Sequence, residues 1–163
     1  MNEAKLLKRN LLFNTVGNVA YFACQWLITG FFIKRLSDAA TGDYNAGLIA
    51  TAMAVTNVFL TLSSYGMRTF QVSDVEGKYK SGDYITSRVL TVAAAAALCL
   101  GYCLTVGYAG EQLVCIMLFL VYKLLEAVTD VFHGFCQRAE RMDIIGISYG
   151  VRGVLSLAAF CLV

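Results

Sequence analysis

Long apolar stretches alternate with short polar connections along the whole chain. The apolar stretches lie at about residues 11–33, 44–67, 84–109, 113–136 and 144–163. A helix needs roughly 20 apolar residues to cross the hydrocarbon core of a bilayer, and each stretch approaches or exceeds that length. Most of the charged residues lie outside these stretches. The pattern predicts an all-α integral membrane protein in which about five transmembrane helices form a single domain over residues 1–163.

The composition agrees with this pattern and argues against a soluble enzyme. Hydrophobic residues make up 58% of the chain and charged residues 15%, whereas soluble domains carry about 25% charged residues. The net charge of +2 is too small to indicate a nucleic-acid partner. The chain has no phosphate-binding glycine-rich loop, nucleophile elbow or HExxH motif, and Asp74-Val75-Glu76 only loosely echoes an acidic metal-binding motif. We therefore expect no enzymatic activity, no catalytic residue, no metal site and no cofactor.

The cysteines indicate buried thiols rather than a disulfide framework. All of them lie in or at the ends of apolar stretches, where free cysteine behaves as a small hydrophobe. Disulfide frameworks belong to small, loop-rich secreted chains. The six residues are Cys24, Cys99, Cys103, Cys115, Cys136 and Cys161.

The distribution of Lys and Arg predicts the orientation in the membrane. One side collects the N-terminus and the second and fourth connections, whereas the other side has only Lys34 and Arg35. Because Lys and Arg are retained on the cytoplasmic side, we expect a cytoplasmic N-terminus. The first apolar stretch is too long for the core of a signal peptide, so it is expected to remain as the first span. The residues on the cytoplasmic side are Lys5, Lys8, Arg9, Arg68, Lys78, Lys80, Arg88, Arg138 and Arg141.

The fourth predicted span carries a row of polar and ionisable residues, which we call the polar seam. Their spacings of 3, 4, 3 and 4 residues place them within an arc of about 80° on one helix face. Polar side chains are costly in hydrocarbon, so such residues usually face a bundle interior or a hydrated cavity. The polar seam consists of Lys123, Glu126, Asp130, His133 and Gln137.

Weaker polar faces occur on three other predicted spans. Arg152 lies near the middle of the fifth, which also has Gly146, Gly150 and Gly153 at spacings that allow close helix packing. The faces of the first and second spans are formed by Asn14, Asn18, Tyr21, Gln25 and Thr29, and by Asn57, Thr61, Ser64 and Arg68.

Two interpretations of these faces remain open, and they are compatible. In the first, Lys123 pairs with Glu126 and Arg152 with Asp130, and the pairs fix the helix register. In the second, the polar faces line a hydrated pathway for a polar substrate. The substrate-path candidates are Asn14, Asn18, Gln25, Asn57, Arg68, Lys123 and Arg152, and the coupling or gating candidates are Glu126, Asp130 and His133.

The ordered set of motifs resembles a known family over nearly the whole chain. It is similar to bacterial polysaccharide biosynthesis proteins, the oligosaccharide (O-antigen type) flippases of the MATE-like MOP superfamily. The motifs are Asn14-x3-Asn18, the run from Tyr65 to Asp74 (YGMRTFQVSD), and Tyr122-Lys123-x2-Glu126-x3-Asp130-x2-His133-Gly134-x2-Gln137 through Arg141-Met142-Asp143.

The resemblance implies a fold and an activity. Family members have two six-helix lobes around a central cavity, so this chain would supply five helices of the first lobe and end before a sixth helix and a second lobe. They move undecaprenyl-pyrophosphate-linked oligosaccharides across the bacterial cytoplasmic membrane for capsule, exopolysaccharide or O-antigen (lipopolysaccharide) biosynthesis. The implied partners are the lipid bilayer, the polyprenyl-linked oligosaccharide and other polysaccharide-assembly membrane proteins.

The resemblance also suggests roles for the polar residues. Asn, Gln, Thr and Tyr side chains would replace the hydration of the sugars, and Glu126 and Asp130 would carry coupling protons. Arginine and lysine bind phosphate strongly. The cations expected to meet the pyrophosphate are Arg68, Arg88, Lys123 and Arg152.

Two other functions remain as alternatives. A MATE-type multidrug or cation exporter should expose acidic groups without nearby cations, and Lys123 and Arg152 argue against that. A non-transporting membrane subunit or enzyme of a polysaccharide assembly machine would need clustered carboxylates and histidines, and only Asp130 and His133 approach this. A natural five-span protein is the alternative to a piece of a longer transporter, and the DNA after codon 163 would distinguish them.

Overall fold

The computed structural model describes residues 3–32, 41–74 and 76–162, and every regular element in those residues is helical. The predicted all-α fold is confirmed for this part of the chain. The predicted charged connection at Lys34, Arg35 and Asp38 and the predicted end at Val163 lie outside the described residues. The helices are α1 (Glu3–Trp26, continued by a π-helical segment, Leu27–Phe32), α2 (Gly42–Ser64), α3 (Met67–Ser73), α4 (Ser81–Val106), α5 (Gly110–Arg138) and α6 (Met142–Leu162).

Within the described residues, four helical segments are long and apolar enough to cross a bilayer. They are Lys8–Gly30, Gly42–Ser73, Ser81–Val106 and Met142–Ala159, with mean hydropathies of 1.2, 1.6, 2.2 and 1.3. At 1.5 Å per residue, α4 alone is about 39 Å long, which exceeds a hydrocarbon core of about 30 Å. The fourth predicted span lies in α5, a 29-residue helix that carries the polar seam. The chain is therefore an all-helical membrane protein.

A break in the helix divides the second predicted span. Helix α2 stops at Ser64, because Tyr65 and Gly66 both adopt positive φ angles, 32° and 71°. Helix α3 then resumes at Met67, in a stretch that the sequence had indicated as the start of a polar loop. Arg68 consequently belongs to α3 and does not continue the polar face of α2.

The described helices form two compact units. The first comprises Met1–Ala46 and Cys136–Val163, in which α1 packs along α6. Glycine allows this close approach, since a Cβ atom on Gly17 would overlap the backbone of Gly146 and one on Gly146 would overlap the carbonyl of Phe13. The Asn10 side chain, which is buried, donates to the Glu140 carbonyl at 2.6 Å and ties α1 to the turn before α6.

The second unit comprises Gly47–Phe135 and has an apolar core between its long helices. Cys99 and Cys103 are fully buried in this core as free thiols, as predicted, whereas Cys161 of the other unit is exposed, contrary to prediction. Exposed leucines such as Leu90, Leu104 and Leu118 are suited to contact lipid. The buried core consists of Ala52, Phe59, Ala95, Cys99, Cys103, Ile116 and Leu120.

Candidate functional site

Two arginines and one aspartate from three helices meet in the second unit. Arg68 of α3 donates from Nη1 to Oδ1 of Asp130 at 3.3 Å. Arg88 of α4 donates from Nη2 to Oδ2 of the same carboxylate at 3.2 Å. Asp130 belongs to the polar seam of α5, so this Arg68–Asp130–Arg88 cluster joins α3, α4 and α5.

The two arginines differ in their exposure to the surroundings. The Arg88 side chain is 1% exposed and also donates from Nη1 to the Ser63 carbonyl at 2.8 Å. The Arg68 side chain is 28% exposed and that of Asp130 is 23% exposed. Two guanidinium groups face one carboxylate, so the cluster carries an excess of one positive charge. Arg68 is the more accessible of the two cations and presents that charge.

A buried amide holds α3 against α5 beside the cluster. Gln71 is fully buried and donates from Nε2 to the Val131 carbonyl at 3.3 Å. Gly134 makes room for it, because a Cβ atom at that position would overlap the Gln71 amide. This contact positions Arg68, one turn before Gln71, to reach Asp130.

Glu126, which lies one helical turn before Asp130 in the polar seam, also has a cationic partner. Lys123 donates from Nζ to Oε2 of Glu126 at 3.2 Å, as the sequence predicted. The ammonium lies 6.0 Å from the Phe119 ring centre and 5.9 Å from that of Tyr122, within cation–π range. The polar seam continues with His133, which is buried, and Gln137, which is half-buried.

The described partners of Asp130 are Arg68 and Arg88, and its predicted pair with Arg152 stays a prediction. Both carboxylate oxygens of Asp130 receive hydrogen bonds from Arg68 and Arg88. The Arg152 guanidinium lies 5.1 Å from the ring centre of Tyr21, in the first unit. The sequence pattern could not indicate this, because helical spacing reports contacts within a helix and leaves partners on other helices open.

The candidate amides are distributed over both units. Asn18 donates to the Asn14 side-chain oxygen at 3.0 Å and to its carbonyl at 2.8 Å, within α1 of the first unit. Gln25 is half-buried on the same helix, and Asn57 is exposed on α2 in the second unit. Asn57 therefore belongs to the same unit as Arg68 and Lys123, whereas Asn14, Asn18 and Gln25 belong to the first unit.

Asp74 has a structural role in the loop between α3 and α4. Its Oδ1 accepts from the Lys78 backbone at 3.0 Å, and its Oδ2 accepts from the Tyr79 backbone at 3.3 Å and the Tyr84 hydroxyl at 2.7 Å. The carboxylate is therefore engaged in organising this loop. Among the described residues, no group of three or more His, Cys, Asp or Glu side chains could hold a metal ion.

The sequence was compared with known proteins. It is 26% identical over 155 residues to the capsular polysaccharide biosynthesis protein CapF of Staphylococcus aureus. The alignment covers 95% of this chain and 37% of that protein, so the chain spans little more than a third of the length of this curated relative. No protein-family model and no solved structure matches the chain.

Proposed function

We propose that this chain is part of a transporter that moves polyprenyl-pyrophosphate-linked oligosaccharides across the bacterial cytoplasmic membrane for surface polysaccharide biosynthesis. The observation that carries the proposal is the Arg68–Asp130–Arg88 cluster, an excess of positive charge among the helices of a membrane protein. Charges at such positions are costly and usually serve a substrate or ion pathway. The similarity to a capsular polysaccharide biosynthesis protein supports the biosynthetic role.

The chemistry of the substrate matches the charge of the cluster. A pyrophosphate is strongly anionic and cannot enter hydrocarbon without a compensating cation. Arginine binds phosphate with a planar fork of donors, and Arg68 is the accessible guanidinium. In the proposal, Arg68 contacts the pyrophosphate, while the buried Arg88 holds the Asp130 carboxylate in place.

The remaining seam and amide residues have supporting roles in the proposal. The Lys123–Glu126 pair acts as a gate that opens when the anionic head group attracts the lysine. The amides of Asn14, Asn18 and Gln25 bind sugar hydroxyls. We further propose that a sixth helix and a second lobe complete the pathway. In the proposal the transporter catalyses no covalent reaction. Other membrane proteins of polysaccharide assembly are the proposed partners.

The charge balance disfavours efflux of cationic drugs. A carrier of cations needs carboxylates that are available to the substrate. In the described part of the polar seam, both Asp130 and Glu126 have cationic partners at 3.2–3.3 Å. We also propose a cytoplasmic N-terminus, which the positive-inside distribution supports, with the cluster toward the leaflet where the lipid-linked oligosaccharide is made.

Charge-neutral replacement of Arg68 tests the proposal. A charge-assisted hydrogen bond contributes about 1.5–3 kcal/mol, so Arg68→Gln should lower export of the polysaccharide about 10-fold or more. Arg68→Lys should retain part of the export, since the charge remains. Arg141→Gln is the matched control, because Arg141 is exposed and lies outside the cluster.

The measurement is surface polysaccharide per cell, normalised to the amount of variant protein in the membrane. The proposal expects lipid-linked oligosaccharide to accumulate in the Arg68→Gln strain and not in the Arg141→Gln strain. Normal export by Arg68→Gln at a normal protein level would contradict the proposal and indicate that the cluster only stabilises the fold.

A further inference from the structure

A pocket of the second unit lies outside the cluster. Between α3, the following loop and the start of α4 is a pocket of about 210 Å³, which we call the aromatic pocket. Neither Arg68 nor Arg88 lines it. Its walls include the rings of Tyr65, Phe70, Tyr79 and Tyr84, together with Asp83 and Ser87.

The rings of the aromatic pocket meet at steep angles. The Phe70 and Tyr79 ring centres are 5.8 Å apart with an angle of 53° between the planes. The Tyr79 and Tyr84 ring centres are 6.2 Å apart with an angle of 71°. Rings at such angles pack tilted or edge to face, and all three of these rings line the aromatic pocket.

Internal hydrogen bonds fix these walls before any ligand binds. The Tyr84 hydroxyl donates to Asp74 at 2.7 Å, and Asp74 also holds the backbone of Lys78 and Tyr79. The hydroxyls of Tyr65 and Ser87 are 2.7 Å apart and bond to each other. A pocket that is ordered in advance binds without the entropic cost of arranging its side chains.

These contacts also determine which groups of the aromatic pocket are available to a ligand. The hydroxyls of Tyr65, Tyr84 and Ser87 are already engaged, so few polar groups remain for the many hydroxyls of a sugar. What remains is the electron-rich surface of the rings and the carboxylate of Asp83. One oxygen of that carboxylate accepts from the Lys80 backbone at 2.9 Å, and the other oxygen can face a positive charge.

We infer that the aromatic pocket binds an alkylammonium group. Such cations are weakly hydrated and are attracted to the faces of aromatic rings, most strongly in cages of several rings. Asp83 is the one charged residue among the lining residues and supplies a counter-ion. The Tyr79 ring already has one ammonium nearby, that of Lys78, which lies 5.7 Å from the ring centre and does not line the pocket. The ammonium can belong to a lipid head group or to a free molecule.

Choline and its uncharged carbon analogue, 3,3-dimethylbutan-1-ol, test the charge requirement. Both have the same shape, and only choline carries the positive charge. Binding to the whole chain in phosphatidylglycerol nanodiscs is measured by isothermal titration calorimetry. We expect choline to bind at least about 10-fold more tightly than the analogue, as two or more ring contacts of a cation predict. Equal binding of the two compounds, or tighter binding of methyl glucoside than of choline, would overturn the inference.

Two variants locate the binding. Tyr79→Leu removes a wall and should weaken choline binding about fivefold or more. Asp83→Asn removes the counter-ion, retains an oxygen for Lys80 and should also weaken binding, so it serves if Tyr79→Leu does not fold. Tyr44→Leu is the matched control, since Tyr44 is an exposed tyrosine outside the pocket. Equal affinities of the control and both pocket variants would overturn the inference.

A change of lipid distinguishes the two sources of the ammonium. If a lipid head group occupies the aromatic pocket, phosphatidylcholine nanodiscs should lower the apparent affinity for choline relative to phosphatidylglycerol. An unchanged affinity assigns the pocket to free alkylammonium compounds. Because Arg68 does not line the pocket, these results are independent of the outcome of the export experiment.

Discussion

Asp130 accepts hydrogen bonds from two guanidinium groups whose side chains differ in their exposed fraction. Arg88 is almost completely buried, while Arg68 is partly exposed. A buried charge whose partner is removed costs more than the pair contributed, because its desolvation is no longer compensated. The stability of the second unit should therefore depend on Asp130 far more than on Arg68.

This difference predicts an order of stabilities among variants of the cluster. Asp130→Asn should destabilise the protein by about 3–5 kcal/mol, since it leaves the Arg88 charge buried without a carboxylate. Arg68→Gln should cost about 1 kcal/mol or less, because a partly exposed ion pair contributes little to stability. Adding Arg88→Met to Asp130→Asn should restore much of the lost stability, as it removes the buried charge. Thermal and denaturant unfolding in detergent, followed by circular dichroism, measures these differences.

The variant that combines Asp130→Asn with Arg88→Met can contradict this explanation. If Asp130→Asn with Arg88→Met is less stable than Asp130→Asn alone, the buried charge is not the source of the loss. The export experiment with Arg68→Gln requires that this variant be nearly as stable as the parent protein, so its unfolding midpoint is compared with that of the parent.

The sequence predicted local contacts of these residues better than distant ones. The Lys123–Glu126 pair follows from a spacing of three residues in a helix, and it is found at 3.2 Å. The partners of Asp130 come from α3 and α4, which are 62 and 42 residues away along the chain. Helical periodicity carries no information about such distances, so Arg68 and Arg88 could not be predicted from it as partners of Asp130.

At the scale of elements, α1 and α6 pack closely because glycines lie at their contact. A Cβ atom on Gly17 would overlap the main chain of Gly146, which a rotamer change cannot relieve. The glycines of α6 were predicted to allow close packing, and Gly146 does so. Its contact with Gly17 could not be predicted, because a single glycine in α1 has no periodic pattern.

Gly17→Ala should therefore separate α1 from α6. Overpacking of a tight contact typically costs about 1–3 kcal/mol, and the backbone contact here favours the upper part of that range. Gly47→Ala is the control, since Gly47 is also helical and has open space around its Cα. That replacement should leave stability unchanged or raise it by about 0.5–1 kcal/mol. Unfolding midpoints in detergent compare the two variants, and equal midpoints would show that the helices do not pack through Gly17.

The break between α2 and α3 shows where hydropathy loses its predictive value. The apolar stretch continues through Tyr65 and Met67, so its composition gives no sign of an end at Ser64. The end depends on two backbone conformations at Tyr65 and Gly66, which hydropathy does not encode. The consequence is structural, because the break lets α3 carry Arg68 toward Asp130.

At the scale of the whole molecule, the proposed role requires surfaces of two kinds. Apolar side chains such as Leu90, Leu104 and Leu118 are exposed and suited to lipid. The charged cluster and the polar seam are largely withdrawn from that surface. A membrane protein with this division can hold an anionic head group away from hydrocarbon while the lipid tail of the substrate remains in the bilayer.

The distribution of the lipid-linked oligosaccharide between the two leaflets tests the central proposal most directly. It is measured in spheroplasts with a membrane-impermeant reagent that labels the glycan, in cells with and without the gene that encodes this chain. The proposal predicts that deletion leaves the oligosaccharide synthesised but inaccessible from outside, and that restoring the gene restores labelling. Normal labelling after deletion would contradict a role in translocation, and loss of the lipid-linked oligosaccharide itself would indicate a role in its synthesis instead.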